Sequence, residues 1–431
     1  MGYRIPSSRT RPQNALTWTR CPDDGILALD PWACDDGAVR VFITFLAAYV
    51  LSQFFRSFLA GIAPELAAEL KLDPQALGNL QAFWIMGFVA MQVPVGLALD
   101  TLGPRRTVPA MMLAAVAGAV LFAKARSGFD LDLAMVLIGI GCAPIYMGAI
   151  FVFGRVNRPA QFALLCSWLL GIGSAGNLLA ASPLALAAQM IGWRGALLVI
   201  AAACAASALS ILLLIDDPPR LQSQSPGGFL KGLGQIVAIR QLWPLMPLTA
   251  VGYSVVLAER GLWAGPYFAS VHGLDPVARG NALLLMAAAM SAGAMIYGPL
   301  DRLLGTRKWV VAAGSAATAA GFLVLGLVEL PLAAASLTMA LTGACGMTYG
   351  VLMAHGRSFI PDHLLGRGIT LLNVLFIGGA GLLQPVSGAL MKGMATLPAA
   401  VAYGRLHLLF GVLLFLALAI YLGSRDSPPA R

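Results

Sequence analysis

Two arginines stand inside runs that otherwise read as membrane spans. Arg56 lies within YVLSQFFRSFLAGIAP, from Tyr49 to Pro64, and Arg260 within ERGLWAGP. An uncompensated arginine at the centre of a spanning helix costs about 2.5–3.5 kcal/mol, so such a residue faces a cavity, a substrate or a structural partner. Arg56 precedes Pro64 by eight residues, about 12 Å along a helix, which places it somewhat outward of the membrane centre. Two guanidiniums facing one interior space would form a positive site in a low dielectric. Their forked donors suit the oxygens of phosphate, phosphonate or carboxylate. Glu259 is the intramembrane carboxylate at hand, but adjacent helical residues point about 100° apart, so it serves Arg56 or another helix more easily than Arg260. Three roles remain open for the arginines: anion binding, structural ion pairing, or a mixed role in which protonation of Glu259 releases an arginine and couples transport to protons.

The elements that must hold these residues are helices in a bilayer. The chain has 431 residues, 59% hydrophobic and 11% charged, with a mean hydropathy of +0.81, and an ordinary soluble globule is excluded. Twelve apolar stretches are each long enough to span as helices, and too long and uniform for outer-membrane strands. The net charge of +9 reports topology rather than a nucleic-acid partner. Inter-span loops on one side hold Arg105, Arg106, Arg155, Arg158, Arg220, Lys231, Arg240, Arg302, Arg307, Lys308, Arg357 and Arg367. The other side holds fewer: Lys71, Lys124, Arg126, Arg194, Arg279, Lys392 and Arg405. That asymmetry predicts a cytoplasmic membrane protein with both termini in the cytoplasm. Cys142, Cys166, Cys204 and Cys345 fall in spans and Cys21 and Cys34 in the N-terminal tail, a pattern of unpaired thiols.

Residues 1–38 form a polar tail without the apolar core of a secretory signal and read as disordered. Spans fill 39–215 and 241–424, separated by a linker at 216–240 that opens with Asp216-Asp217-Pro218-Pro219, and 425–431 is a short tail. The halves repeat. With a shift of 204, Tyr49 falls on Tyr253, Arg56 on Arg260, Ala60 on Ala264 and Gly61 on Gly265; with 202, Gly78-Asn79 falls on Gly280-Asn281 and Gly154-Arg155 on Gly356-Arg357. A near-constant offset predicts two six-helix bundles related by a pseudo-two-fold axis along the membrane normal, with the site at their interface.

After the second span comes Gly96-Leu-Ala-Leu-Asp100-Thr-Leu-Gly103-Pro-Arg105-Arg106. A degenerate copy, Gly298-Pro-Leu-Asp301-Arg302-Leu-Leu-Gly305-Thr-Arg307-Lys308, follows the eighth. The first run resembles the loop 2–3 signature of the major facilitator superfamily, where this cluster is a latch that holds one face shut and breaks as the halves rock. The resemblance spans residues 39 to 424 and implies an all-α fold and secondary transport by alternating access. It also sharpens the arginines. The organophosphate:phosphate antiporter branch carries one essential arginine in span one and one in span seven, matching Arg56 and Arg260. Nitrate/nitrite porters carry theirs on spans two and eight, where no interior arginine stands here, although Gly171-Ile-Gly-Ser-Ala-Gly176-Asn177 faintly resembles their glycine-asparagine signature. Span five lacks the Gly-Pro pair of drug/proton antiporters.

The expected substrate set is Arg56 and Arg260, with Tyr49 and Gln53 on the face of Arg56 and Tyr253 two turns before Arg260. The family implies that Tyr146, Trp168, Tyr349 and Asn373, on spans four, five, ten and eleven, line the same cavity. Glu259 is the expected proton-coupling group. His355 reads as a gate or surface residue, and His272 and His363 as loop residues. No metal cluster, cofactor, catalytic module or ATP-binding loop is expected, and the protein is expected to be a monomer. The alternatives are a non-transporting sensor or assembly factor of the same fold, a nitrate-like inorganic anion carrier, or a drug transporter.

Overall fold

The computed structural model describes residues 36–156, 159–217, 234–361 and 365–427. The expected N-terminal tail up to residue 35, most of the linker and His363 lie outside them. Among the described residues the chain is helical throughout. The first half contains α1 (Asp36–Phe55), α2 (Phe58–Leu70), α3 (Pro74–Ala90), α4 (Gln92–Thr101), α5 (Pro104–Lys124), α6 (Gly128–Val156), α7 (Pro159–Gly173), α8 (Ala175–Leu179) and α9 (Ser182–Leu214). The second contains α10 (Leu245–Ala258), a π turn (Glu259–Trp263), α11 (Ala264–His272), α12 (Pro276–Leu304), α13 (Lys308–Leu327), α14 (Leu332–Cys345), α15 (Tyr349–Arg357), α16 (Leu365–Gly393) and α17 (Ala399–Tyr421). Ten helical segments are long and apolar enough to cross a bilayer, and the pair α1–α2, bent by 41°, makes an eleventh. One of the ten, Trp168–Leu214, runs for 47 residues, about twice what one crossing needs. It turns at Gly192, whose φ of 74° is non-helical, so the structure is consistent with twelve crossings in two bundles.

The repeat is visible in how helices start. Asp73 caps α3 by accepting from the Ala76 amide at 2.8 Å, and Asp275 caps α12 by accepting from Val277 and Ala278 at 2.9 and 3.1 Å. Each is followed by proline at the first helical position, where a missing N–H is harmless. At the opposite face, Asp217 accepts from the Arg105 amide at 2.9 Å and Asp426 from the Lys308 amide at 3.0 Å. Each carboxylate comes from just beyond the last helix of its own bundle. A Cβ on Gly103, which has φ +83°, would collide with Asp217, so only glycine admits this cap. Arg105 also reaches Asp216 at 3.2 Å, and Arg307 reaches Asp301 at 3.3 Å. Of the expected latch arginines, Arg105 and Arg307 are thus tied within their own bundles. Asp100 is helical, but its side chain lies outside the described residues.

The face that carries Asp217 and Asp426 is here called the linker face, and its opposite the distal face. The polar contacts that join the bundles among the described residues run from the middle of the membrane to the distal face. They are Ser174 with Ser291 at 3.2 Å, Ser182 to Asn281 at 2.7 Å, Arg279 to Glu65 at 2.6 Å and to the Gly61 carbonyl at 2.9 Å, and Lys392 to Asp73 at 2.8 Å. Backbones also come close there. A Cβ on Gly265 of α11 would lie 1.8 Å from the Ala60 carbonyl oxygen of α2, which gives the repeated Ala-Gly pair a packing reason. The conformation is closed distally.

Arg279 corrects its expected place in a loop. It occupies the first turn of α12, is 3% exposed, and donates through Nη2 to both Glu65 and the Gly61 carbonyl, the latter at 2.9 Å. His355 is likewise not a surface residue. It is fully buried between α15 and the end of α17, with Nδ1 2.8 Å from Tyr421 Oη and Nε2 2.9 Å from the Arg425 carbonyl.

Candidate functional site

Both arginines sit where their helices lose regularity. Arg56 and Ser57 form the break between α1 and α2, and Arg260 lies inside the π turn. A break of this kind re-aims side chains and frees backbone groups, and it is found at functional positions. The freed Arg56 carbonyl accepts from Gln81 Nε2 at 3.4 Å, and Ser57 Oγ donates to Asn177 Oδ1 at 2.9 Å to hold the bend.

The Arg56 guanidinium lies over the rings of Phe88 and Trp84, 5.1 and 5.6 Å from their centroids. Aromatic faces hold a cation in place for about 0.5–2 kcal/mol without neutralising it. Arg260 is 6% exposed. In neither arginine does Nε find a hydrogen-bond partner, and no carboxylate among the described residues pairs with either. Each lies within electrostatic reach of the other and of Tyr49.

Several residues of the expected lining contact one another nearby. Gln53 Nε2 donates to Tyr49 Oη at 3.2 Å, Tyr49 packs against Tyr146 with ring centroids 5.3 Å apart, and Tyr349 Oη donates to Asn373 Oδ1 at 2.9 Å. Tyr253 stacks on Phe376 at 4.4 Å, and Tyr349 packs on the same ring at 3.5 Å. Tyr146 and Tyr349 both lie within reach of the Arg56 charge. Trp168 is on α7 and packs against the core. Three spans of each bundle, carried by α1, α3 and α6 and by α10 with its π turn, α15 and α16, therefore contribute to this cluster, with two uncompensated positive charges and several hydroxyl and amide groups.

Sequence reasoning missed Gln81, Gln384 and Phe376. The first two are 1% and 0% exposed, from α3 and α16, and both have amide atoms without partners. Their side-chain nitrogens would lie 3.8 Å from a Cβ on Gly261, in the π turn. A glutamine within an apolar run was a usable signal, since polar groups in a span need partners. Phe376 gave none, because a phenylalanine in a span is ordinary packing.

Glu259 is not turned toward either arginine. It is fully buried, its Oε1 lies 3.4 Å from Nε2 of His407 on α17, and His407 is fully buried too. Its neighbour on another helix is a histidine that sequence reasoning passed over. The signal was present: His407 is an ionisable residue inside the last span.

A family model, the Major Facilitator Superfamily, matches residues 45–385. The chain belongs to this superfamily. No curated protein sequence matches it. Solved structures of the superfamily fold overlay on most of its length. A bacterial homologue of the human lysosomal transporter Spinster, in an inward-facing and unoccupied conformation, is 18% identical with a TM-score of 0.75, covering 90% of this chain and 96% of that one. The nucleoside transporter NupG is 15% identical with a TM-score of 0.72, covering 90% and 99%. A D-xylose-proton symporter is 15% identical with a TM-score of 0.70, covering 88% and 97%. At these identities the likeness is one of fold, and this superfamily member's substrate has to be argued from its own site.

Proposed function

We propose that the protein is a secondary transporter that carries a small organic anion, a phosphorylated metabolite or a carboxylate, across the cytoplasmic membrane, with both termini cytoplasmic and as a monomer. The observation that carries this reading is the pair of guanidiniums, the half-buried Arg56 and the buried Arg260, brought together from symmetry-related positions without an acidic partner. Charge of that kind in a low dielectric favours a ligand that supplies the counter-charge. The Glu259 carboxylate is turned away to His407, so the ligand has two positive charges to meet, which favours a dianion. Tyr49, Gln53, Tyr349, Gln81 and Gln384 are placed to hydrogen-bond its remaining oxygens and hydroxyls. With the bundles joined on the distal side, the site opens to the cytoplasm in this conformation, and rocking about it gives alternating access.

The test is uptake into proteoliposomes of a panel of sugar phosphates, dicarboxylates and neutral sugars, with Arg56→Lys and Arg260→Lys. A lysine keeps the charge and loses the fork. Transport of an anion from the panel, abolished or strongly reduced in both variants, is the expected result. Undiminished transport in both, or uptake of the neutral sugars alone, overturns the reading.

A further inference from the structure

Three polar groups from both bundles converge on one small space beside Gly261, at the distal end of the anion site. We propose that this space receives a hydroxyl oxygen of the transported anion, so that Gln81, Gln384 and the Arg56 carbonyl make the protein prefer hydroxylated anions to their deoxy analogues. The proposal rests on the anion reading of Arg56 and Arg260.

The space exists because residue 261 has no side chain. A Cβ there would lie 3.3 Å from the Arg56 carbonyl oxygen and 3.8 Å from Nε2 of both Gln81 and Gln384. These contacts leave room for one heavy atom. An oxygen in that position needs each amide to move by about 0.6 Å to reach ordinary hydrogen-bond length, which a long side chain achieves by small rotations.

The three groups then decide what the atom is. Gln81 donates one amide hydrogen to the Arg56 carbonyl at 3.4 Å and keeps a second. Gln384 has both of its own, with no partner among the described residues. The carbonyl has two lone pairs and can accept once more. Two donors and one acceptor thus face one point, and a hydroxyl, with one O–H and two lone pairs, meets all three. A carboxylate or phosphate oxygen has no proton for the carbonyl, an ammonium has no lone pair for the amides, and a methylene answers none of them. Water is the competitor that also fits, but it has no tie to the guanidiniums. Burial sharpens the choice. The glutamines are 1% and 0% exposed, and a buried amide left unmade costs its full desolvation, so a site built to bond a hydroxyl strongly rejects the molecule that lacks it.

Placement ties the space to the anion. It is bounded by the backbone of one arginine and by the residue that follows the other. Gln81 stands three residues before Trp84 on α3, about 4.5 Å along the helix from the ring over which the Arg56 guanidinium lies. A charged head on the guanidiniums and a hydroxyl beside Gly261 therefore fit within one small molecule. The walls are shared between the bundles, with Arg56 and Gln81 from the first and Gly261 and Gln384 from the second. Helices α3 and α16 cross so closely here that a Cβ on Gly78 would lie 2.5 Å from the Gln384 carbonyl oxygen. Rocking parts these walls. The hydroxyl is gripped only with the distal side closed, and a hydroxylated anion favours that closure more than its deoxy analogue does.

The test is initial uptake into proteoliposomes of matched pairs: malate with succinate, and glucose 6-phosphate with its 2-, 3- and 4-deoxy analogues. The parent should prefer the hydroxylated member of at least one pair by about 10-fold or more in kcat/KM. Residue 261 has helical backbone, so Gly261→Ala puts a methyl in the space without backbone strain, and Gln384→Leu and Gln81→Leu each remove a donor. Thermal melts show which of the three variants fold. In each that does, the ratio should fall at least about fivefold toward one, whatever happens to uptake of the deoxy member. A purely structural role would slow both members alike and leave the ratio unchanged. A parent ratio near one in every pair, or an unchanged ratio in the variants, means that the space holds water only and overturns the proposal. Failure of the anion reading shows separately, as uptake of neutral sugars alone or of no anion.

Discussion

The buried bridge between Arg279 and Glu65 makes the clearest energetic prediction, because its two ends differ in exposure. Arg279 is 3% exposed and Glu65 35%. Removing the carboxylate in Glu65→Gln strands a buried guanidinium with only the Gly61 carbonyl, at 2.9 Å. Stranding one partner of a buried pair costs about 3–5 kcal/mol, and we take about 3 because the carboxylate was partly hydrated already. Removing the cation in Arg279→Gln leaves a glutamate that can turn to water, at a cost of about 1–2 kcal/mol. The bridge exists only while the distal side is closed, so these energies shift the balance between the two conformations. The expected change toward the distal-open form is about 5- to 30-fold for Arg279→Gln and above about 100-fold for Glu65→Gln. Spin labels on Lys71→Cys and Thr396→Cys, both exposed at distal helix ends, in a background without native cysteines, report the populations by pulsed dipolar spectroscopy. Two results refute the reasoning: unchanged distance distributions in both variants, or a larger shift for Arg279→Gln than for Glu65→Gln.

Further predictions follow from the same geometry. Gly265→Ala places a Cβ where only 1.8 Å separates it from the Ala60 oxygen, against an ordinary contact of about 3.3 Å, so the variant should fold but shift toward the distal-open form, read as a longer spin-label distance between Lys71→Cys and Thr396→Cys than in the parent. The Asp426 carboxyl, although raised by partial burial, is held below the usual carboxylate range by hydrogen bonds from Thr306 and the Lys308 amide. A depressed folded value means its stabilisation is complete above about pH 4 and is lost as pH falls through that lower value, so melting temperature should fall in acid less steeply in Asp426→Asn than in the parent. His355→Ala removes two buried partners, Tyr421 Oη and the Arg425 carbonyl, and should destabilise the second bundle by about 1–3 kcal/mol in a thermal melt.

Much of the architecture was legible because bilayers impose long apolar helices, and because repetition of Gly-Asn and Ala-Gly pairs at a near-constant offset survives divergence elsewhere. The two arginines were legible for the same reason: charge in an apolar run stands out. What stayed hidden depends on direction rather than composition. Arg279, five residues after a loop glycine-leucine pair, reads as a loop cation until its helix is seen to start at Pro276 and lean on α2. The aim of Glu259 depends on the π turn, and a sequence read with a uniform 100° per residue places no such turn. Gln81 and Gln384 come from opposite bundles with no matching offset, so the repeat could not pair them.

The π turn at Glu259–Trp263 also constrains how this protein can evolve. Deleting any one residue between 259 and 263 would let the segment relax to α geometry and rotate Arg260 by about 100° relative to the chain on one side of it. Either the arginine or the glutamate would then leave its place, although every other residue of the protein were unchanged. Along this segment the lineage is free to explore substitutions one at a time, whereas a change in residue count has no small first step.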